Sequence, residues 1–176
     1  MKTIKKLNIM MLLLISSAIF TFSCKSDDDG GNAGPAAEGT IVAKVDGTTI
    51  TTLEMVTFAN LVSGTLSIQG NTGGTSSKAL TLLINGIDGV GTYPLGGGAN
   101  IANSASYMEI VVDMSNPMNT QTHTWQAPYD SSQAGEIKIS EMTATHVKGT
   151  FSFSCKNVNG DNSVKNVTEG SFNIQL

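Results

Sequence analysis

The chain has 176 residues, 40% of them hydrophobic, with 14 acidic against 10 basic side chains and a formal net charge of −4. Every base is lysine, and there is no arginine. An acidic, arginine-free composition argues against nucleic acid and anionic membrane surfaces as partners, because bidentate phosphate and base-edge recognition favours the guanidinium fork. The first element is an N-terminal segment of three zones. Lys2, Lys5 and Lys6 make a positive start, Ile9 to Phe22 is apolar apart from Ser16, Ser17 and Thr21, and Ser23 and Cys24 close it. That order is the layout of a secretory signal over residues 1–23, removed before folding. The apolar run is shorter than the roughly 18–20 residues that a spanning helix needs. Without residues 1–23, seven lysines face fourteen acids, a net charge of −7.

The close of this segment resembles a bacterial lipoprotein signal, whose cleavage leaves a lipid-modified cysteine at the new N-terminus. Thr21 stands where the usual motif has Leu, and Phe22 where a small residue is common. Relaxed versions of this kind are frequent in the phylum Bacteroidota. The resemblance implies lipidation of Cys24 and the membrane as a partner through that lipid, since two or more acyl chains anchor stably where one does not. Residues 24–38 continue with Lys25-Ser26-Asp27-Asp28-Asp29 and a Gly-, Asn-, Ala- and Pro-rich run. No large apolar side chain drives ordering there, so the stretch reads as a disordered, self-repelling tether. Its acidic cluster also resembles the Bacteroidota address for the outer face of the outer membrane. That implies a surface-exposed outer-membrane lipoprotein, with a periplasm-facing site as the alternative.

From residue 39 to 176, short runs of Thr, Val and Ile alternate with Gly, Asn and Asp, which reads as strands and turns. Residues 40–45 form a strand, Asp46-Gly47 is a two-residue hairpin turn, and residues 48–52 return. Thr51 to Val62 is ambiguous. A capping box and the spacing of Met55, Phe58, Ala59 and Val62 suit a short helix, while the Thr, Val and Phe content favours strand. Further strands are expected at 64–69, 79–84, 106–113, 121–126, 135–141, 144–155 and 164–176, and Gly86 to Gly98 reads as a long turn. Within 106–113, Met108, Ile110 and Val112 are expected to face the core and Tyr107, Glu109, Val111 and Asp113 to share the other face. Phe151, Phe153 and Cys155 share one face, which makes Cys155 a buried structural thiol. The expected fold is all-β, a single antiparallel β-sandwich or flattened meander barrel.

The order "VDG", "GTYPLG", "GEIKIS", "VKGTFSFSC" and "VTEGSFNI" along residues 40–176 is similar to a family of small β-rich Bacteroidota lipoproteins of unknown function. These motifs punctuate a fold rather than carry chemistry, and the resemblance implies no activity. Gly91-Thr92-Tyr93, Gly149-Thr150-Phe151 and Gly170-Ser171-Phe172 share one pattern, read as a turn glycine followed by a residue entering the sheet.

Candidate sites are sparse. His123 and His146 stand alone, without the three or four ligands at proper spacing that zinc requires. Asn157, Asn159 and Asp161 put oxygen ligands at alternate positions, which fits a polar hairpin loop or a weak calcium site. Gly160 comes too early and Thr168 fills the twelfth place, unlike an EF-hand loop. No GxSxG elbow or phosphate loop is present. Glu109 and Asp113 lie about 13 Å apart along a strand, beyond the roughly 5–9.5 Å of paired glycosidase carboxylates. Glu136 and Glu141 are separated by an odd number and are expected on opposite faces. His123, Trp125 and Tyr129 form the best ligand platform, although the polar alternation of Thr122, Thr124 and Gln126 would turn Trp125 into the core. The sequence therefore leads to a lipid-anchored, non-catalytic module that binds a glycan or an envelope protein and needs no cofactor. The alternatives are a structural or accessory subunit of an envelope assembly, and a carboxylate-based hydrolase.

Overall fold

In the computed structural model, residues 33–97 and 102–176 are described. The signal segment, Cys24 and tether residues 24–32 lie outside them.

Among the described residues, strands run over β1 (Thr40–Val45), β2 (Thr48–Thr51), β3 (Phe58–Val62), β4 (Thr65–Asn71), β5 (Ser76–Asn85), β6 (Gly91–Gly96), β7 (Ser104–Val111), β8 (Gln121–Ala127), β9 (Gln133–Met142), β10 (His146–Lys156) and β11 (Val164–Gln175). They make one all-antiparallel sheet in the order β2-β1-β11-β10-β8-β7-β5-β4-β3. Most neighbours are also sequence neighbours, as a meander requires. The exceptions are β6, which leaves the line to pair with β9 so that β5 meets β7, β8, which meets β10, and β1, which pairs with β11 and so joins the two ends of the domain. Asp46 and Gly47 adopt φ of 47° and 83°, and Ser63 and Gly64 adopt 50° and 77°. Positive φ at both central residues is what the tight turns of β1–β2 and β3–β4 need to match the strand twist.

The sheet curls because its inward face is apolar at every second position. Ile41, Leu66, Ile68, Leu82, Ile84, Tyr107, Ile137, Ile139, Val147, Phe153 and Ile174 converge on one core. The two ends of the curl meet beside Thr52. Its N–H donates to Ile41 O at 2.9 Å, its Oγ accepts from Ile41 N–H at 2.9 Å, and the next N–H, of Leu53, donates to Asn71 O. On the opposite side β10 divides its free edge. Val147 to Phe153 pair with β9, and Lys156 pairs with Gln126 of β8.

In the stretch from Thr51 to Val62 the strand reading holds at Phe58–Val62, and the helical spacing amounts to a single 3₁₀ turn at Glu54–Val56. Three expectations are corrected. Gly86 to Gly98 contains β6, whose Tyr93 and Leu95 face the core. On β7 the faces are reversed: Ala105 and Tyr107 are buried, and Tyr107 donates its hydroxyl to Glu109 at 2.9 Å. The aromatic ring supplies more buried area than Met108 or Ile110, and its hydroxyl still finds an acceptor. Finally, Gly149 and Gly170 are not turn residues. They sit inside β10 and β11, opposite Phe172 and Phe151 respectively. Each ring lies over the glycine of the adjacent strand, and the two rings stack at 6.3 Å.

The reciprocal pairing leaves no room for a β-carbon. One added at Gly170 would lie 2.5 Å from the Phe151 ring, and one at Gly149 would overlap Lys138 O and the Phe172 ring. Gly149→Ala and Gly170→Ala are each expected to cost about 1–3 kcal/mol, the range of overpacked cores, read as a lower urea midpoint. Removal of residues 174–176 takes away buried Ile174 and the Leu176 N–H bond to Thr145 O. It is expected to lower stability by about 2–5 kcal/mol.

Candidate functional site

The outward face of β9, β10 and β11 carries small or polar side chains. Pairing aligns Lys138 with Thr150, Thr150 with Ser171, and Glu136 with Ser152. Because Thr150, Ser152 and Ser171 are short, the strands at Gly149, Phe151, Gly170 and Phe172 lie at the floor of a groove of about 750 Å³. Glu136, Lys138, Lys148 and Glu169 bring charges of both signs to its walls, and Ser140 and Asn173 add further hydrogen-bonding groups. A register shift in β9 opposite Lys148 and Gly149 places Glu141 beside Lys148, with N···O of 3.2 Å. The extra residue turns Glu141 to the same outward side as Glu136, which corrects the expectation of opposite faces.

The remaining wall is Gly34, Pro35 and Ala36. Residues 33–38, assigned above to the tether, are bonded to β11. Ala33 N–H donates to Glu169 Oε2 at 2.8 Å, Ser171 Oγ donates to Gly34 O at 3.0 Å, and Gln175 Nε2 donates to Glu38 Oε1 at 3.0 Å. Glu169 Oε1 also meets the Lys44 ammonium at 3.1 Å. The Ala33 N–H and the Lys44 ammonium hold the Glu169 carboxyl below its ordinary value. One carboxylate thus fixes the point at which the N-terminal segment reaches the groove.

The platform expected at His123, Trp125 and Tyr129 is arranged differently. Trp125 is only 5% exposed, whereas His123 is exposed and Tyr129 lies at the surface. The indole Nε1–H donates to Ser163 Oγ at 2.9 Å, the ring meets Tyr107 at 5.6 Å, and the Lys165 ammonium sits 5.5 Å from its centroid. Lys165 is held in turn by Asp46 at 3.2 Å and Glu109 at 3.9 Å. With one face under a cation and the edge hydrogen-bonded, the ring is committed to packing. Trp125 does not line the 750 Å³ groove.

The residues considered for calcium belong to the same support. Asn157 is buried, and Asp161 Oδ1 accepts from Ser163 N–H at 2.9 Å and Ser163 Oγ at 2.6 Å. Asp161, Ser163 and Trp125 therefore form one chain of hydrogen bonds. Among the described residues no group of three or more His, Cys, Asp or Glu side chains is placed to hold a metal. The same Asp-x-Ser turn recurs at Asp113–Ser115 and Asp130–Ser132. The spacing was present in the sequence, where it was a visible signal for an Asx turn. Cys155 is buried, and burial, aided by the Asp46 charge, pushes its thiol up to about 12.

Comparison with known families adds one result: a domain of unknown function, DUF6252, matches residues 37–174. The chain belongs to the DUF6252 family. The DUF6252 span begins beside the groove wall at Ala37 and ends at Ile174, so it takes in β1 to β10 and nearly all of β11. No curated protein and no solved structure matches the chain.

Two outcomes follow for the DUF6252 domain. Its thiol at Cys155 is expected to resist a disulfide reagent at pH 8 while folded and to react within minutes in denaturant, read by thiol absorbance. Hydrogen bonds from Asn166 N–H to Asp46, and from Ser115, Ser132 and Ser163 to Asp113, Asp130 and Asp161, hold these carboxyls below their ordinary values, as at Glu169. Groups depressed on folding add stability above the unfolded carboxylate range that is lost as pH falls through their folded values. Urea midpoints are expected to hold steady from neutral pH to about 5 and to drop below about 4.

Proposed function

We propose that this protein is a lipid-anchored envelope protein, displayed on the outer-membrane surface through Cys24, that holds a polar, extended ligand in the groove of β9, β10 and β11 without transforming it. The observation that carries the reading is the groove itself. Its walls combine hydroxyls, an amide and charges of both signs over a floor formed by β10 and β11. Such a surface offers directional hydrogen bonds beside apolar patches, in an open trough rather than an enclosed cavity. That chemistry suits a glycan chain or an extended protein segment better than a compact apolar molecule, which needs an enclosed, largely hydrophobic pocket. The segment at Gly34 to Ala36 ends beside the groove, so a tether over residues 24–32 would leave the domain from this side. A chain moored in that way presents the groove at a height set by the tether.

The carboxylates considered for hydrolysis do not converge there. Glu109 is engaged by Tyr107 and Lys165, Asp113 caps Ser115 and Asn116, and Glu141 pairs with Lys148. Of the four, Glu136 lines the groove.

The test has two arms. Intact-mass measurement on protein from its native cells is expected to show a mature chain beginning at acylated Cys24. Glycan arrays and peptide pull-downs with the full chain are expected to retain a ligand that Thr150→Trp, which fills the groove from an exposed position, weakens at least about tenfold, or 1.4 kcal/mol. A chain that begins elsewhere, or a ligand whose binding ignores Thr150→Trp, would refute the corresponding half of the proposal.

A further inference from the structure

Glu169 stands where the backbone asks for glycine. Register on β1 passes from Val42–Ser171 to Lys44–Thr168, and on β10 from Phe151–Gly170 to Phe153–Val167, so β11 holds one extra residue against both neighbours. The surplus falls at Glu169, whose φ is 51°. A bulge with a left-handed residue carries glycine there as a rule, because a β-carbon is strained at that φ. A strained non-glycine residue on the wall of a groove points to a role for its side chain. Here the side chain reaches two groups at once. Oε2 accepts from the Ala33 N–H at 2.8 Å, and Oε1 meets the Lys44 ammonium at 3.1 Å. The Lys44 side chain is 11% exposed, so the carboxylate is moored to the sheet by a cation with little water around it.

Residues 33–38, which this carboxylate holds, are otherwise tied down lightly. None of them is buried. Among the described residues, three hydrogen bonds join the segment to β11: Ala33 to Glu169, Ser171 to Gly34 and Gln175 to Glu38. Each depends on a β11 side chain. Backbone-to-backbone pairing with β11 begins at Gly39, whose N–H donates to Asn173 O at 2.7 Å. Gly39 has a φ of 75°, and Thr40 closes the adjoining turn by donating its N–H and Oγ to Ala37 O. That turn is a fixed point about which the preceding residues can swing. Segments with little burial and few backbone bonds open at the low end of the local stability range.

We infer that residues 33–38 are a hinged strap on the groove, latched shut by Glu169 and pivoting at the Ala37–Thr40 turn. Closed, the strap supplies the wall at Gly34 to Ala36 and occupies the Ser171 hydroxyl and Glu169 Oε2. Open, it widens the groove and releases those two groups to a ligand, a consequence that rests on the binding role proposed above. Both readouts use the full chain in mild detergent with no ligand added, so the strap and the binding role can fail separately. Glu169→Gly keeps the bulge, relieves its φ and removes the latch. Elastase is expected to cut after Ala36 or Ala37, read by mass, at least about tenfold faster in Glu169→Gly than in the native chain, because cleavage follows the open population. Circular dichroism and cutting at other sites are expected to stay unchanged. Spin labels at Ala36→Cys and Ser152→Cys, both on the groove, are expected to give a narrow distance distribution with Glu169 and a broader, longer one with Glu169→Gly. Ser171→Ala removes the bond to Gly34 without touching the bulge and is expected to move both readouts the same way, by less. Cleavage rates or label distances that both variants leave at the native values overturn the inference.

Discussion

The reciprocal fit of Gly149 with Phe172 and of Gly170 with Phe151 is the constraint on which the rest of the domain depends. Two long strands can lie side by side with two phenylalanine rings on one face only if each ring has an empty site opposite it. Glycine provides that site, and the rings then stack on one another at 6.3 Å, with Phe153 adding a third ring at 6.1 Å from Phe151. The hairpin so formed accepts β1 on one edge and is divided between β9 and β8 on the other. It therefore decides how both ends of the chain meet and where the sheet forks. The same hairpin supplies the groove floor, because its phenylalanines turn inward and short Thr150, Ser152 and Ser171 stand outside between Lys148, Glu169 and Asn173.

Charge is used differently in two places. Near Trp125, Lys165 collects Asp46 and Glu109 and lies over the indole, so cation, carboxylates and ring satisfy one another. Such an arrangement locks strands β1, β7, β8 and β11 together and leaves little for a ligand. Along the groove, Lys138, Lys148, Glu136 and Glu169 stand around an open space. The contrast explains why the aromatic residue that stands out in the sequence is a structural one, and why the surface suited to binding is built from residues that individually attract no notice.

Local patterns transmitted a great deal. Alternation in Phe151–Cys155 gave the inward face correctly, because strand periodicity is a property of the backbone. Asp46-Gly47 announced its hairpin because few other dipeptides tolerate positive φ twice. The same logic failed at β7, where both faces carry apolar residues and the choice rests on how much volume the opposite strands leave for Tyr107. It failed again at Glu141, because a bulge is invisible until the partner strand is known. Gly149 and Gly170 were misread for a similar reason: a glycine that makes room for a ring on the next strand looks, in one dimension, like a glycine that makes a turn.

The amino-acid sequence by itself determined that this is an acidic, arginine-free, all-β chain with turns where Gly, Asn and Asp fall, since those properties follow from composition and from interactions a few residues long. The tertiary structure alone decided which glycine faces which phenylalanine, which carboxylate meets Lys44 or Lys165, and where a groove opens. Each of these joins positions far apart in the chain, such as Lys44 with Glu169 and Asp46 with Lys165. Their pairing depends on strand order and register, and no local pattern encodes either.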